Sequence, residues 1–228
     1  MPKRTSAVKV TDVRSNKPWL KKIGVSKYPV KTIPLKKTFL IVCEGQTEEM
    51  YFRSFPVVTA VVKSIQSGSS KKALVDRSKE LKKKGDYDEV WCVFDMDYKP
   101  DRQGQYDDYN NAIQLALMKG FKCAYSNDAF ELWCVLHYDF IEQEHLRTFY
   151  YEKLSEYWKF NYEKHGKERK FSNSIYNKLK EDKKANQLQA IASAKKLYER
   201  QEGKPYHLQN PVTKVYELVE SLNKHIRA

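Results

Sequence analysis

No stretch of this sequence approaches the roughly 18 consecutive apolar residues of a membrane-crossing helix. Its basic start lacks the apolar segment of a secretory signal. Only four cysteines occur, Cys43, Cys92, Cys123 and Cys134, with no C-x-x-C pair, and each sits in an apolar run. That placement argues against a disulfide framework and against zinc, and for small buried thiols in a reducing cytoplasm. The five histidines lack metal-ligand spacing, and no Ser/His/Asp or Cys/His order suggests a nucleophilic hydrolase. Neither G-x-G-x-x-G nor G-x-x-x-x-G-K-S/T is present, so the chain is no evident dinucleotide binder or P-loop ATPase. Any ATP site has to come from a partner.

What the sequence has in quantity is charge. Its 228 residues, 41% hydrophobic and 31% charged, suit one α/β domain with appendages. The net charge of +13 is uneven: residues 1–38 carry +10, residues 39–149 carry −4, and residues 150–204 carry +6. An acidic centre between basic flanks suits a metal site beside a polyanion track, although solvated Lys-rich helices would leave the same pattern.

Residues 1–37 show no sustained apolar period and read as a basic N-terminal arm, phosphate-binding or merely solubilising, with Trp19 and Leu20 pinned locally. A strand over about 38–43 ends in Glu44-Gly45. Thr47 can cap the helix that follows, which stops before Pro56. Val61, Val62 and Ile65 suggest a second strand, Gln66–Ser70 a flexible loop, and residues 71–84 a helix closed by Gly85. A third apolar run, Val90–Phe94, ends in Asp95-Met96-Asp97. A helix from Asp107 or Asp108 to Lys119 leads to a fourth strand, Phe121–Tyr125. Ser126-Asn127-Asp128 then reads as the cap of a helix through His137 that is apolar nearly all round and therefore buried. Four β-α units imply a small, mostly parallel sheet with helices on both faces, a core over residues 38–140. Residues 141–228 read as a helical extension packing on that core. Its helices fall at 144–160, 172–182 and 184–202, with a last one from Pro211 to Lys224.

Glu44, the pair Asp95 and Asp97, and Glu131 each fall at or just past the C-terminal end of a predicted strand. In a parallel sheet those ends share one edge, so acids distant in sequence can converge. On an extended backbone Asp95 and Asp97 point to one side. Converging carboxylates repel unless a cation neutralises them, and hard oxygen ligands suit Mg²⁺ or Mn²⁺, which serve phosphodiester chemistry. Each acid also has a plain reading: Glu44 and Glu48 as helix-dipole partners, Asp95-x-Asp97 as a loop pair, and Glu131 neutralised by an arginine or by His137. Tyr150, Tyr151, Tyr157, Trp158 and Tyr162, interleaved with lysine, suit either base stacking or helix packing. Trp91 and Trp133 lie in buried runs and read as packing.

The strand ending in Glu44-Gly45, followed by Thr47-Glu48 and later by Asp95-x-Asp97, resembles the Toprim pattern of topoisomerases, primases and certain nucleases. More narrowly, IVCEGQTEEMYFRSF, YDEVWCVFDMD, YSNDAFELWCVLHY and NPVTKVYELVESL resemble the RloB-like family over roughly residues 38–225. The resemblance implies a Toprim-like, metal-dependent nuclease of prokaryotic antiphage or abortive-infection defence. It also implies a separately encoded AAA/ABC-type ATPase partner and nucleic acid as target, RNA over DNA and in some relatives tRNA. Homo-oligomerisation stays open, and no membrane is involved. By position, Glu44 would be metal ligand or general acid/base, Asp95 and Asp97 would hold Mg²⁺ (or Mn²⁺), and Glu48 and Glu131 would be further ligands. Gly45, Asn127 and His137 would support them, Asn127 by orienting Glu131. Lys36, Lys37, Lys99, Arg102, Lys167, Arg169 and Lys170 are the candidate phosphate contacts. The acidic pattern is shared by strand-passing, primase and nuclease members, so a DNA nickase, a non-enzymatic metal- or nucleotide-binding regulator of an ATPase complex, and a structural nucleic-acid binder remain alternatives.

Overall fold

The computed structural model describes residues 37–64 and 70–226. Trp19, Leu20 and Lys36 of the expected arm lie outside the described residues, as do Ile65 and most of the expected loop after it. The core alternates strands and helices: β1 (Phe39–Cys43), α1 (Gln46–Arg53), β2 (Ala60–Ser64), α2 (Lys71–Lys82), β3 (Glu89–Asp95), α3 (Gln105–Met118), β4 (Lys122–Asn127) and α4 (Glu131–Val135). There follow α5 (Arg147–Trp158), α6 (Tyr162–His165), α7 (Arg169–Ser172), α8 (Ile175–Glu181), α9 (Gln187–Gln201), β5 (Val212–Thr213) and α10 (Val215–Asn223). The strands form one sheet in the order β2-β1-β3-β4-β5, parallel except for β5. This is the α/β class expected, consistent with a Toprim-like core. Among the described residues no helix is long and apolar enough to cross a membrane.

β1 is fully buried because both faces of the sheet are covered, which is why it reads as an unbroken apolar run. Phe39, Ile41 and Cys43 point into one core with Trp91, Val93, Trp133 and Leu154. Leu40 and Val42 point into the other with Phe94, Tyr109, Ile113 and Leu74. β2 lies at the sheet edge, where only Val62 is buried and Lys63 is exposed, a placement that discourages further strand pairing. Side chains from α5, α8, α9 and α10 enter the first core, so the residues after 140 complete the interior and do not form a separate one.

Several local expectations need correction. The segment after residue 140 is not wholly helical. Pro211 precedes a two-residue edge strand, a position where its missing N–H costs nothing, and α10 begins only at Val215. Ser126 and Asn127 do not cap a helix; they extend β4, and Ser126 pairs with Thr213 of β5. The buried stretch Ala129–His137 is helical only over Glu131–Val135. Thr47 sits inside α1, whose N-cap is Gly45, and its hydroxyl instead meets Ser172. Tyr150, Tyr151, Trp158 and Tyr162 are buried and Tyr157 stacks on Tyr138, so packing explains them and base stacking does not. The four cysteines are buried thiols, and Trp91 and Trp133 are buried as expected.

The N-terminal edge of the sheet is tied by one carboxylate. Glu89, the first residue of β3, accepts from Lys37 Nζ (2.9 Å), Trp91 Nε1 (3.0 Å) and Ser221 Oγ (2.9 Å), with Lys122 Nζ at 3.1 Å. Burial opposes its charge, but these partners outweigh it and hold the carboxyl down at about 2. In the unfolded chain the group titrates near 4.5, so its contribution is complete above that pH and is lost as pH falls through 2. Glu89→Gln is therefore expected to lower unfolding free energy at pH 7 by about 2–3 kcal/mol. Urea titrations of both proteins should converge as pH drops below 4.5; a gap unchanged at pH 3 would contradict this origin.

Candidate active site

Strand order reverses between β1 and β3, since the chain leaves them toward opposite sides of the sheet. Such a switch point opens a crevice outside the carboxyl ends of the strands. Here it forms a cavity of about 330 Å³ lined by Glu44, Gly45, Glu48, Asp95, Asp97, Glu131, Lys99, Arg102, Arg147 and Lys167, among others. All five carboxylates read from the sequence thus reach one cavity.

Glu44 follows β1, and its N–H donates to Val93 O (2.9 Å), which anchors it to β3. Its Oε1 lies 3.3 Å from Lys71 Nζ, while Oε2 is buried with no hydrogen-bond partner. Lys71 is itself only 3% exposed and is set by the start of α2. There Ser70 caps the helix by accepting from Ala73 N (3.1 Å), and Asp108 accepts from Lys71 N (3.0 Å). Gly45 serves by its lack of a side chain: a Cβ there would collide with the Glu48 carboxylate, which folds back over the start of α1.

Glu48 and Glu131 are buried, and Asp95 accepts from Phe130 N (2.9 Å). Burial pushes the Glu48 carboxyl up to about 7, with repulsion from Glu131 and Glu44 adding to it. Burial likewise raises Asp95 well above the usual carboxylate range, aided by Glu48 and Glu131. Glu131 is fixed by Tyr162, whose hydroxyl donates to Oε1 (3.0 Å). Burial works against the Lys167 ammonium, yet the charge of Glu131 prevails and raises its pKa.

Asp97 reaches the cavity by a route other than an extended backbone. It adopts φ 53°, in the left-handed region that aspartate tolerates better than most residues. Its Oδ2 lies 3.2 Å from Lys99 Nζ, and its Oδ1 lies 2.5 Å from Arg147 Nη2 in an ion pair without hydrogen-bond alignment. Arg147 Nε also stands 3.6 Å from Asp128, whose carboxylate accepts from Arg147 N (3.1 Å) and Tyr98 N (2.8 Å). A buried carboxylate thus sits at the start of α5, where the helix dipole favours negative charge. Burial disfavours the Arg147 charge, but Asp97 and its other acidic neighbours override that and raise its pKa.

The remaining candidates fall elsewhere. Lys37 pairs with Glu89 at the opposite edge of the sheet and is no part of this cavity. Arg169 lines a neighbouring groove with Glu44, Gln46 and Arg53, and Lys170 is exposed on α7. Asn127 donates to His207 O (2.9 Å) and so does not orient Glu131. His137 is buried beside Trp133, its Nδ1 2.9 Å from Trp133 O, and burial lowers its pKa to about 4. Sequence reasoning missed Lys71, Arg147 and Tyr162. Lys71 and Arg147 look like ordinary surface cations, and Tyr162 like one tyrosine among sixteen.

The donor set is all oxygen, and the unpartnered Glu44 Oε2 and the uncompensated Glu48 and Asp95 suit a hard divalent cation. Among the described residues no three carboxylate, thiol or imidazole groups stand close enough as placed to hold an ion. Ligation would therefore require these side chains to turn from Lys71 and Arg147.

No curated protein and no solved structure matches this chain. The family model described as RloB-like protein matches residues 39–222, which takes in every described strand and nearly all of the described helices. This chain belongs to the RloB-like protein family.

Proposed function

We propose that this RloB-like protein is a metal-dependent nuclease that cleaves phosphodiester bonds, with RNA as target, in prokaryotic antiphage defence. The observation that carries the reading is the gathering of Glu44, Glu48, Asp95, Asp97 and Glu131 in one cavity at the strand switch point, ringed by Lys99, Arg102, Arg147 and Lys167. Five carboxylates alone would repel an anionic strand. The cations at the rim give phosphates a place to sit, and the acids give a divalent ion one. Glu44, Glu48 and Asp95 would hold Mg²⁺ or Mn²⁺, which when bound activates water and stabilises the leaving oxygen. Arg147 and Lys99 would pass from Asp97 to the scissile phosphate, since guanidinium and ammonium groups serve either anion. Tyr162 keeps Glu131 in place throughout. The chain has no P-loop, so ATP-dependent control would come from the separately encoded ATPase that family resemblance implies.

Purified protein, alone and with that ATPase, should cleave tRNA or single-stranded RNA with Mg²⁺ or Mn²⁺ and stop in chelator. Glu44→Ala should be inactive. Cleavage surviving either treatment sinks the proposed site, and cleavage confined to DNA would reassign the substrate. The lack of three ready-placed ligands among the described residues favours one other reading, a non-enzymatic regulator whose acids are paired structurally. It predicts no cleavage even with the ATPase present.

A further inference from the structure

Beside the carboxylate cavity lies a second one of about 240 Å³ that the scheme above leaves unused. One side is a ladder of three aromatic rings. Tyr98 and Tyr106 are near-parallel at 14°, with centroids 6.0 Å apart, and Tyr106 faces His207 at 4.8 Å and 32°. The ladder is held rigidly at His207. Its N–H donates to Asn110 Oδ1 (3.0 Å), and its carbonyl accepts from Asn127 Nδ2 (2.9 Å). With Asn110 Oδ1 so engaged, Asn110 Nδ2 donates to His207 Nδ1 (2.7 Å), which leaves the ring proton on Nε2. Tyr106 is nevertheless 43% exposed, and Leu146 and Leu208 form an apolar rim, each 53% exposed.

Among the polar groups lining this cavity, two acceptors are open to a ligand. Asn210 Oδ1 is buried without a partner, and Glu144 is exposed at the mouth. An aromatic wall, apolar edges and unpaired acceptors match a flat heterocycle that presents N–H groups on its edge. The position fits as well. Tyr98 follows Asp97 and Leu146 precedes Arg147, so their Cα atoms are about 3.8 Å apart. Asp128, which lines this cavity, contacts Arg147, which lines the other. The two cavities share a wall.

We propose that this second cavity receives an unpaired nucleobase of the bound strand, guanine by preference, packed against the part of Tyr106 that Tyr98 and His207 leave exposed. Guanine offers adjacent ring and exocyclic N–H donors, which a carboxylate can accept together. The inference rests on the nucleic-acid reading for the strand that delivers the base, but not on cleavage.

The test uses an eight-unit strand of abasic sugar phosphates carrying one central guanine, one central uracil or no base. Binding to the full chain is followed by fluorescence anisotropy in chelator. The guanine strand should bind wild type about tenfold more tightly than the baseless one, as expected of a base packed on an aromatic side chain. Tyr106→Ala should erase that difference and Tyr106→Trp restore it, while Glu144→Gln should remove only the preference for guanine over uracil. Equal or absent binding of all three strands, or a Tyr106→Ala loss shared by the baseless strand, overturns the inference. Because chelator suppresses metal chemistry, base-dependent binding without any nuclease activity would fail the functional reading alone. Cleavage with base-independent binding would fail this inference alone.

Discussion

Asp95→Asn should abolish metal-dependent cleavage, by about 10³-fold or more, without unfolding the protein. A loss of that size corresponds to about 4 kcal/mol of transition-state stabilisation, in the range expected when a metal loses a charged ligand. Asparagine is nearly the same shape and can still accept from Phe130 N, the bond that places the side chain. It also removes an ionisable group whose burial, with Glu48 and Glu131 beside it, makes its charge costly. Thermal stability in chelator should therefore equal or exceed that of wild type, as is common where function maintains unfavourable charge. Adding Mg²⁺ should raise the melting temperature of wild type, because a ligand that binds only the folded state stabilises it. The variant should show little of that increase. Undiminished cleavage, or an equal Mg²⁺ response in both proteins, would remove Asp95 from the metal site.

Arg147→Met should be the most destabilising single change at the site. Methionine keeps much of the aliphatic stem but leaves Asp97 without one ion-pair partner and Asp128, 1% exposed, without its counter-charge. Breaking one side of a buried pair costs about 3 kcal/mol or more, chiefly because the other charge stays behind. At this chain length that is roughly a 6–12 °C fall in melting temperature. If the stranded charge is the cause, adding Asp128→Asn should recover part of the loss, a coupling that a double-mutant cycle measures directly. Additive losses would show instead that Arg147 acts through packing alone.

Much of the molecule is legible in its sequence. β1 and β3 are apolar on both faces because helices cover the sheet from either side, and such strands announce themselves as unbroken runs. Where those runs stop at Glu44 and Asp95, the carboxyl end of the sheet begins, so the sequence alone implied where the acids would meet. Asp97 and Glu131 were read from the same strand ends, and the family motifs then grouped all four with Glu48. β5 escaped notice because two residues have no detectable period, and their strand character comes only from Ser126 and Asn127 beside them.

What only the tertiary structure decided is the electrostatics of the site. Sequence patterns report a residue's own element, whereas a counter-ion is chosen by which elements pack together. Lys71 meets Glu44 because α2 starts beside the end of β1, and Arg147 reaches Asp97 because Asp128 holds the start of α5 against β4. The same packing removed Asn127 and His137 from the site and sent Lys37 to the far edge of the sheet. It also buried the lysine-interleaved tyrosines and left Tyr106 exposed instead. The acids were written in the order of the strands; their partners come from helices up to fifty residues away, and only folding brings them within reach.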